Sequence, residues 1–117
     1  MTKPLALIIE DDTKQGAIFA AALQKDFEVE VLEDGQQAIE RLNLLTPALI
    51  ILDLHLPHMS GAKVLNYIRS SPRLAHIRVM LATADAMLAD QIKEEADLIL
   101  LKPISVSQLR ELAARLV

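Results

Sequence analysis

The residues with most chemistry to offer fall in four places: Glu10, Asp11 and Asp12 in one run, then Asp53, Thr83 and Lys102 far along the chain. Each stands just past a short apolar run. Glu10–Asp12 follow Leu5–Ile9, Asp53 follows Leu49–Leu52, Thr83 follows Arg78–Leu81 by way of Ala82, and Lys102 follows Leu98–Leu101 and precedes Pro103. If those runs are parallel strands, the carboxylates meet at one rim. Like charges packed together are costly unless a cation neutralises them. Oxygen donors without His or Cys select a hard cation, Mg²⁺ rather than zinc. An acidic nest, a hydroxyl and an ammonium together suit phosphoryl transfer to a carboxylate. Mg²⁺ and Lys102 would offset charge on the phosphoryl oxygens, Thr83 would donate a hydrogen bond, and Asp53 would attack in line.

The elements that must position these residues are legible in the apolar pattern. Leu5–Ile9, Leu49–Leu52 and Leu98–Leu101 are continuously apolar, as strands buried on both faces are. Glu28–Leu32 alternates, with Val29 and Val31 on one face, which predicts an edge strand. Arg78–Leu81 completes a set of five. Helical spacing runs through Lys14–Gln24, Gln36–Leu45, Ala62–Arg69, Ala86–Glu95 and Val106–Leu116. The fourth of these has a thin apolar face, with only Leu88 and Ile92 as a clear i, i+4 pair. Ser105, with Gln108 three residues on, reads as a capping box that starts the last helix. Strands alternating with helices predict an α/β fold, a five-stranded parallel sheet covered on both faces with right-handed crossovers. The doubly wound order 2-1-3-4-5 places a site at the carboxyl ends of strands one and three. Glu10, Asp11 and Asp53 follow those ends.

Composition bounds the rest. A chain of 117 residues fits one domain over 1–117. Hydrophobic residues make up 52% and aromatics 3%, which predicts an aliphatic core. A net charge of −4 argues against a nucleic-acid face, which must be basic. The lack of cysteine excludes disulfides, thiolate metal sites and cysteine nucleophiles. Leu5–Ile9 is too short for a signal-peptide core or a membrane span, so a cytoplasmic domain is the expectation. The last helix runs to the last residue, so no output domain is expected after it.

Four motifs give the pattern a family. IIEDD after strand one, LIILDLHLPHMSG around Asp53, ATA at Ala82–Ala84 and LKP at Leu101–Pro103 together resemble the receiver domain of two-component response regulators, across essentially the whole chain. The resemblance implies that Asp53 is the phosphoacceptor and that Glu10, Asp11, Asp53 and the backbone carbonyl of His55 hold Mg²⁺. Thr83 and Lys102 would contact the phosphoryl group, and Pro57 and Gly61 would shape the loop after the acceptor. The implied partner is a sensor histidine kinase or a histidine phosphotransfer domain, with a homodimer possible. The implied activity is self-phosphorylation from a phosphodonor and autodephosphorylation, not conventional enzymatic turnover.

The sequence departs from the family pattern in three places. Nineteen positions separate Thr83 from Lys102, about one helical turn fewer than is usual. The fourth helix or its exit must therefore be short. Glu95 stands where the family commonly has Gly, and Ile99 where it usually has Tyr, Phe or His. All three departures fall on the face of helix four, strand five and helix five. They touch output, not acceptor chemistry.

Several residues have plainer readings. Asp12 is expected to be solvated or to cap the first helix. His58 and His76 lack ligand spacing and read as surface residues, Met59 as packing, and Lys63 and Arg69 as the wet face of helix three. His55 and Asp85, two residues beyond Asp53 and Thr83, flank the path of a hydrolytic water. They either point to solvent or form a charge-assisted pair. A flavodoxin-like phosphate loop is excluded by the charge of EDDTK. A dehalogenase-type phosphatase would need an Asp where His55 stands, and no Walker A or GxGxxG motif appears. The remaining alternative is a receiver-like docking module that works without phosphorylation.

Overall fold

The structure, a computed structural model, describes residues 2–117. Strands β1 (Leu5–Ile9), β2 (Glu28–Leu32), β3 (Leu49–Leu52), β4 (Arg78–Thr83) and β5 (Leu98–Leu101) alternate with helices α1 (Thr13–Leu23), α2 (Gly35–Leu42), α3 (Gly61–Ser70), α4 (Ala86–Gln91) and α5 (Val106–Leu116). The sheet is parallel in the order β2-β1-β3-β4-β5, the doubly wound topology expected from the alternation.

Side-chain alternation along the strands divides the interior into two layers. Leu7, Ile9, Ile50 and Leu52 point towards α2, α3 and α4, joined by Leu42, Leu65 and Ile68. Ala6, Ile8, Leu49 and Ile51 point towards α1 and α5, joined by Leu23 and Leu109. This second layer also takes Phe19 and Phe27, so the core is not purely aliphatic as expected. Burying both rings there fills the space between α1 and the sheet with the largest apolar side chains available.

β1 and β3 are buried on both faces apart from Leu5, as their unbroken apolar runs require. β5 is not, although its run is equally apolar. It lies at the sheet edge, and Leu101 is 50% exposed. The reason is its cover. The helix expected over Ala86–Glu95 ends at Gln91, and Ile92 leaves helical geometry before a 3₁₀ turn at Lys93–Glu95. The shortening expected from the spacing is thus real.

Caps set most helix starts. Asp12 accepts from the amides of Lys14 and Gln15, Asp34 from Gln37, Ser60 from Lys63, Asp85 from Leu88 and Ser105 from Gln108. The Asp34 cap starts α2 at Gly35, one residue before the expected Gln36, and α2 ends at Leu42 rather than Leu45. The ends of α1 and α3 move by one residue, and β4 runs on to Thr83. The serine cap before α5 falls where the Ser105–Gln108 spacing placed it.

Candidate functional site

The sheet ladder continues one residue past three strand ends and so fixes the backbone of three of the predicted residues. The Glu10 amide donates to Leu32 O at 2.9 Å, Asp53 to Ile9 O at 3.0 Å, and Lys102 to Thr83 O at 2.8 Å. Their side chains are thereby carried to one rim. The Lys102 ammonium donates to Glu10 Oε1 at 2.6 Å and to Asp53 Oδ2 at 3.1 Å. The second oxygen of each carboxylate is taken by a backbone amide. Asp12 N–H donates to Glu10 Oε2, and His55 N–H to Asp53 Oδ1, each at 3.3 Å. Glu10 is only 2% exposed and Asp53 7%.

Glu10, Asp11 and Asp53 each place a carboxylate oxygen within 4.8 Å of the others. The electrostatic consequence appears at Glu10, whose pKa is raised to about 7. Burial is the main cause, and the Asp53 charge adds to it, while Lys102 and the Asp12 amide work against it. Burial also acts to lower the Lys102 pKa, but its bonds to Glu10 and Asp53 prevail and hold the ammonium above its ordinary range. The cluster therefore carries more negative charge than Lys102 offsets. Exposed Asp11 and two buried carboxylates, all hard oxygen donors, fit a divalent cation such as Mg²⁺.

Thr83 closes the rim on the β4 side. It is fully buried, and its hydroxyl accepts from Asp85 N–H at 3.1 Å. Asp85 faces His55, with Nε2 2.7 Å from Oδ2, so the two side chains meet, while the His55 ring stays largely exposed to solvent. The Asp85 carboxyl sits below its ordinary range because it caps Leu88 N–H and, secondarily, because it meets His55. The loop from Asp53 to α3 is held by a close approach. A Cβ on Gly61 would lie 2.1 Å from the Asp53 carbonyl oxygen, so no side chain fits there. Within the loop, Met59 N–H donates to Pro57 O at 2.7 Å. His58 adopts the left-handed conformation (φ 66°) and lies 3.4 Å from Asp34. Met59 packs against the α2/α3 layer, the role expected of it, and its carbonyl oxygen would be 2.2 Å from a Cβ on Gly35.

Ile99 is half-buried, packed on the α3/α4 side of the sheet, and Glu95 lies in the 3₁₀ turn. Arg69 is the residue whose place differs most from expectation. Its side chain is 19% exposed, and its guanidinium donates to the carbonyls of Ala75, Ile77 and Glu95 and to the Asp97 carboxylate. Nothing in the helical spacing of α3 marks it, because the groups it binds lie on other elements.

A doubly wound sheet with an acidic nest, a lysine and a threonine at its carboxyl rim defines a class of signalling domain. The family model for the response regulator receiver domain matches residues 6–114, and the chain belongs to that family. The sensor histidine kinase TmoS of Ectopseudomonas mendocina is 31% identical over 118 residues, covering 98% of this chain and 12% of that protein. The regulator of RpoS of Escherichia coli K12 is 32% identical, covering 96% of this chain and 35% of that protein. The chain thus spans a minor part of these relatives. The signal receiver domain of a putative Luxo repressor protein from Vibrio parahaemolyticus superposes with a TM-score of 0.88 at 31% identity, over 97% of this chain and 89% of that one. The bacteriophytochrome response regulator RtBRR gives a TM-score of 0.83 at 33% identity, over 99% and 78%. This is a receiver domain of two-component signalling, and no helix among the described residues is long and apolar enough to cross a membrane.

Proposed function

We propose that the domain accepts a phosphoryl group on Asp53 from a phosphohistidine and passes the signal on by conformational change. The observation that carries this reading is the Lys102 ammonium bonded at once to Glu10 and Asp53 beside exposed Asp11. Attack by an Asp53 oxygen forms the O–P bond of an acyl phosphate while the N–P bond of the donor breaks, leaving a neutral imidazole. Glu10, Asp11, Asp53 and the His55 carbonyl are the residues to hold Mg²⁺, which receiver domains generally bind at an acidic pocket. When bound, that ion supplies positive charge against the phosphoryl oxygens.

The chain's own groups do the rest. Lys102 is poised to follow the charge from the Asp53 carboxylate to a phosphoryl oxygen with little movement. The Thr83 hydroxyl accepts from Asp85 N–H, which leaves its proton free to donate. His55 and Asp85 stand over the approach of a hydrolytic water and slow autodephosphorylation. Receiver domains pair with histidine kinases and phosphotransfer domains, and such a donor in the cytoplasm is the partner for this one.

Docking without phosphorylation is the rival reading, favoured by the exposed β5 edge. The intact mass after incubation with phosphoramidate separates them. With Mg²⁺ the chain gains one phosphoryl mass, and EDTA or Asp53→Asn abolishes the gain. A gain that survives either treatment contradicts the acceptor reading, and no gain under any condition favours docking alone.

A further inference from the structure

The segment from α4 to β5 has little to hold it by itself. A six-residue helix and a three-residue 3₁₀ turn are too short to be stable in isolation. The 3₁₀ turn has no side-chain cap at its start. Its apolar anchors, Leu88, Ala89, Ile92 and Ala96, all pack on the α2/α3 layer of the core. Two polar ties bracket the segment. At its start, Asp85 caps α4 and meets His55, which follows β3. At its end, Arg69 in the last turn of α3 holds Glu95 O at 2.6 Å and Asp97 Oδ2 at 3.0 Å.

The lower tie is built in depth. The same guanidinium also donates to Ala75 O at 3.0 Å and Ile77 O at 2.6 Å, which fixes it to the α3–β4 connection. Asp97 in turn is joined twice to β4, its amide donating to Val79 O at 2.9 Å and its carboxylate accepting from Val79 N at 2.7 Å. Arg78 reaches the other carboxylate oxygen at 3.3 Å. A planar, always charged fork with its acceptors already in place is a rigid joint. The upper tie is a single contact between more exposed side chains.

We propose that Arg69 is a latch between α3 and the α4–β5 connection, and that it confines any change set off at the acceptor to residues 83–91. The unequal ties carry this: at the end nearest the acceptor the side-chain tie to β3 is the exposed His55–Asp85 pair, whereas Arg69 holds the far end by two bonds and is itself fixed by two more to the α3–β4 connection. The proposal rests on the acceptor reading only for the origin of the change, not for the latch.

Amide hydrogen exchange on the whole chain tests it, with wild type, Arg69→Lys and Asp97→Asn, each with and without beryllofluoride and Mg²⁺. Without beryllofluoride, both variants should exchange about tenfold faster over residues 92–97, with 49–53 unchanged. With it, wild-type protection should change over 83–91 and stop before 92, whereas in Arg69→Lys the change should run on to 97. Wild-type exchange at 92–97 in both variants overturns the latch, as does a beryllofluoride response that already crosses residue 92 in wild type. Faster exchange at 49–53 as well makes Arg69 a general stabiliser and also overturns it. If beryllofluoride alters nothing in any variant, the acceptor reading fails, and the ligand-free comparison decides the latch alone.

Discussion

The acceptor rim and the α4–β5 side are both edges of one sheet, yet they are held by different means. The rim rests on β1 and β3, buried strands whose hydrogen-bond ladder runs past their ends into Glu10 and Asp53. Around it, three charged side chains and two backbone amides interlock. The α4–β5 side has a six-residue helix over an edge strand, with Met87 77% and Leu101 50% exposed. The contrast assigns a division of labour. A site that must place charges to within a fraction of an ångström is built on the most buried part of the sheet. On the proposed reading, the segment that would respond to it, residues 83–91, is carried by the shortest α-helix of the fold.

The largest effect expected is at the rim. Replacing Lys102 with Met leaves Glu10 and Asp53 without their shared ammonium, and the rate of phosphoryl uptake from a small phosphodonor should fall on the order of 100-fold. A rate within a few-fold of wild type would remove Lys102 from the chemistry. Next comes a packing comparison. Leu52→Ala, in a strand with no exposure, should lower unfolding stability by about 2–5 kcal/mol. Leu88→Ala, on the half-buried face of α4, should lower it by clearly less in the same urea titration. Equal losses would erase the distinction between the two regions.

A smaller effect lies on the boundary between them. His55→Ala and Asp85→Ala each break the ion pair between the loop after β3 and the start of α4, and should shorten the lifetime of phospho-Asp53 a few-fold at fixed pH. Decay curves that coincide with wild type would leave the pair with a structural role alone. The smallest effect belongs to a control remote from both regions. Glu30 on β2 meets Arg41 on α2 at 2.6 Å, and this bond holds the Glu30 carboxyl below its ordinary value of 4.5. Its contribution is present above pH 4.5 and lost as pH falls through the lowered folded-state value. As both side chains are partly exposed, solvent screening keeps the contribution small. Glu30→Gln should flatten the stability profile in that window without altering phosphoryl uptake.

The rim was legible in the sequence because strands buried on both faces leave unbroken apolar runs, and the residue after each run must lie at the carboxyl end. Glu10, Asp53 and Lys102 follow from that logic, while Thr83 lies two residues past its run and is the last residue of β4. The order of strands followed from alternation and the sheet's preferred winding. Less legible were features that depend on which element covers which. The expected strand order already places Leu98–Leu101 at an edge, but its unbroken apolar run reads as buried on both faces, and Leu101 is instead 50% exposed. Arg69 reads as a wet-face residue because helical spacing describes one helix, whereas its partners come from the α3–β4 connection, the 3₁₀ turn and the residue before β5. The shortening of helix four was visible as missing length and a thin apolar face, but the position of the break at Ile92 was not.

Acceptance at Asp53 is tested most sharply by locating the phosphoryl group. An acyl phosphate is a mixed anhydride that borohydride reduces, which turns a phosphorylated aspartate into homoserine. After phosphorylation with Mg²⁺, borohydride treatment and peptide mapping by mass spectrometry, homoserine is expected at position 53 and unmodified Asp at 11, 12 and 85. Homoserine at any of those three positions, with Asp53 intact, would contradict it.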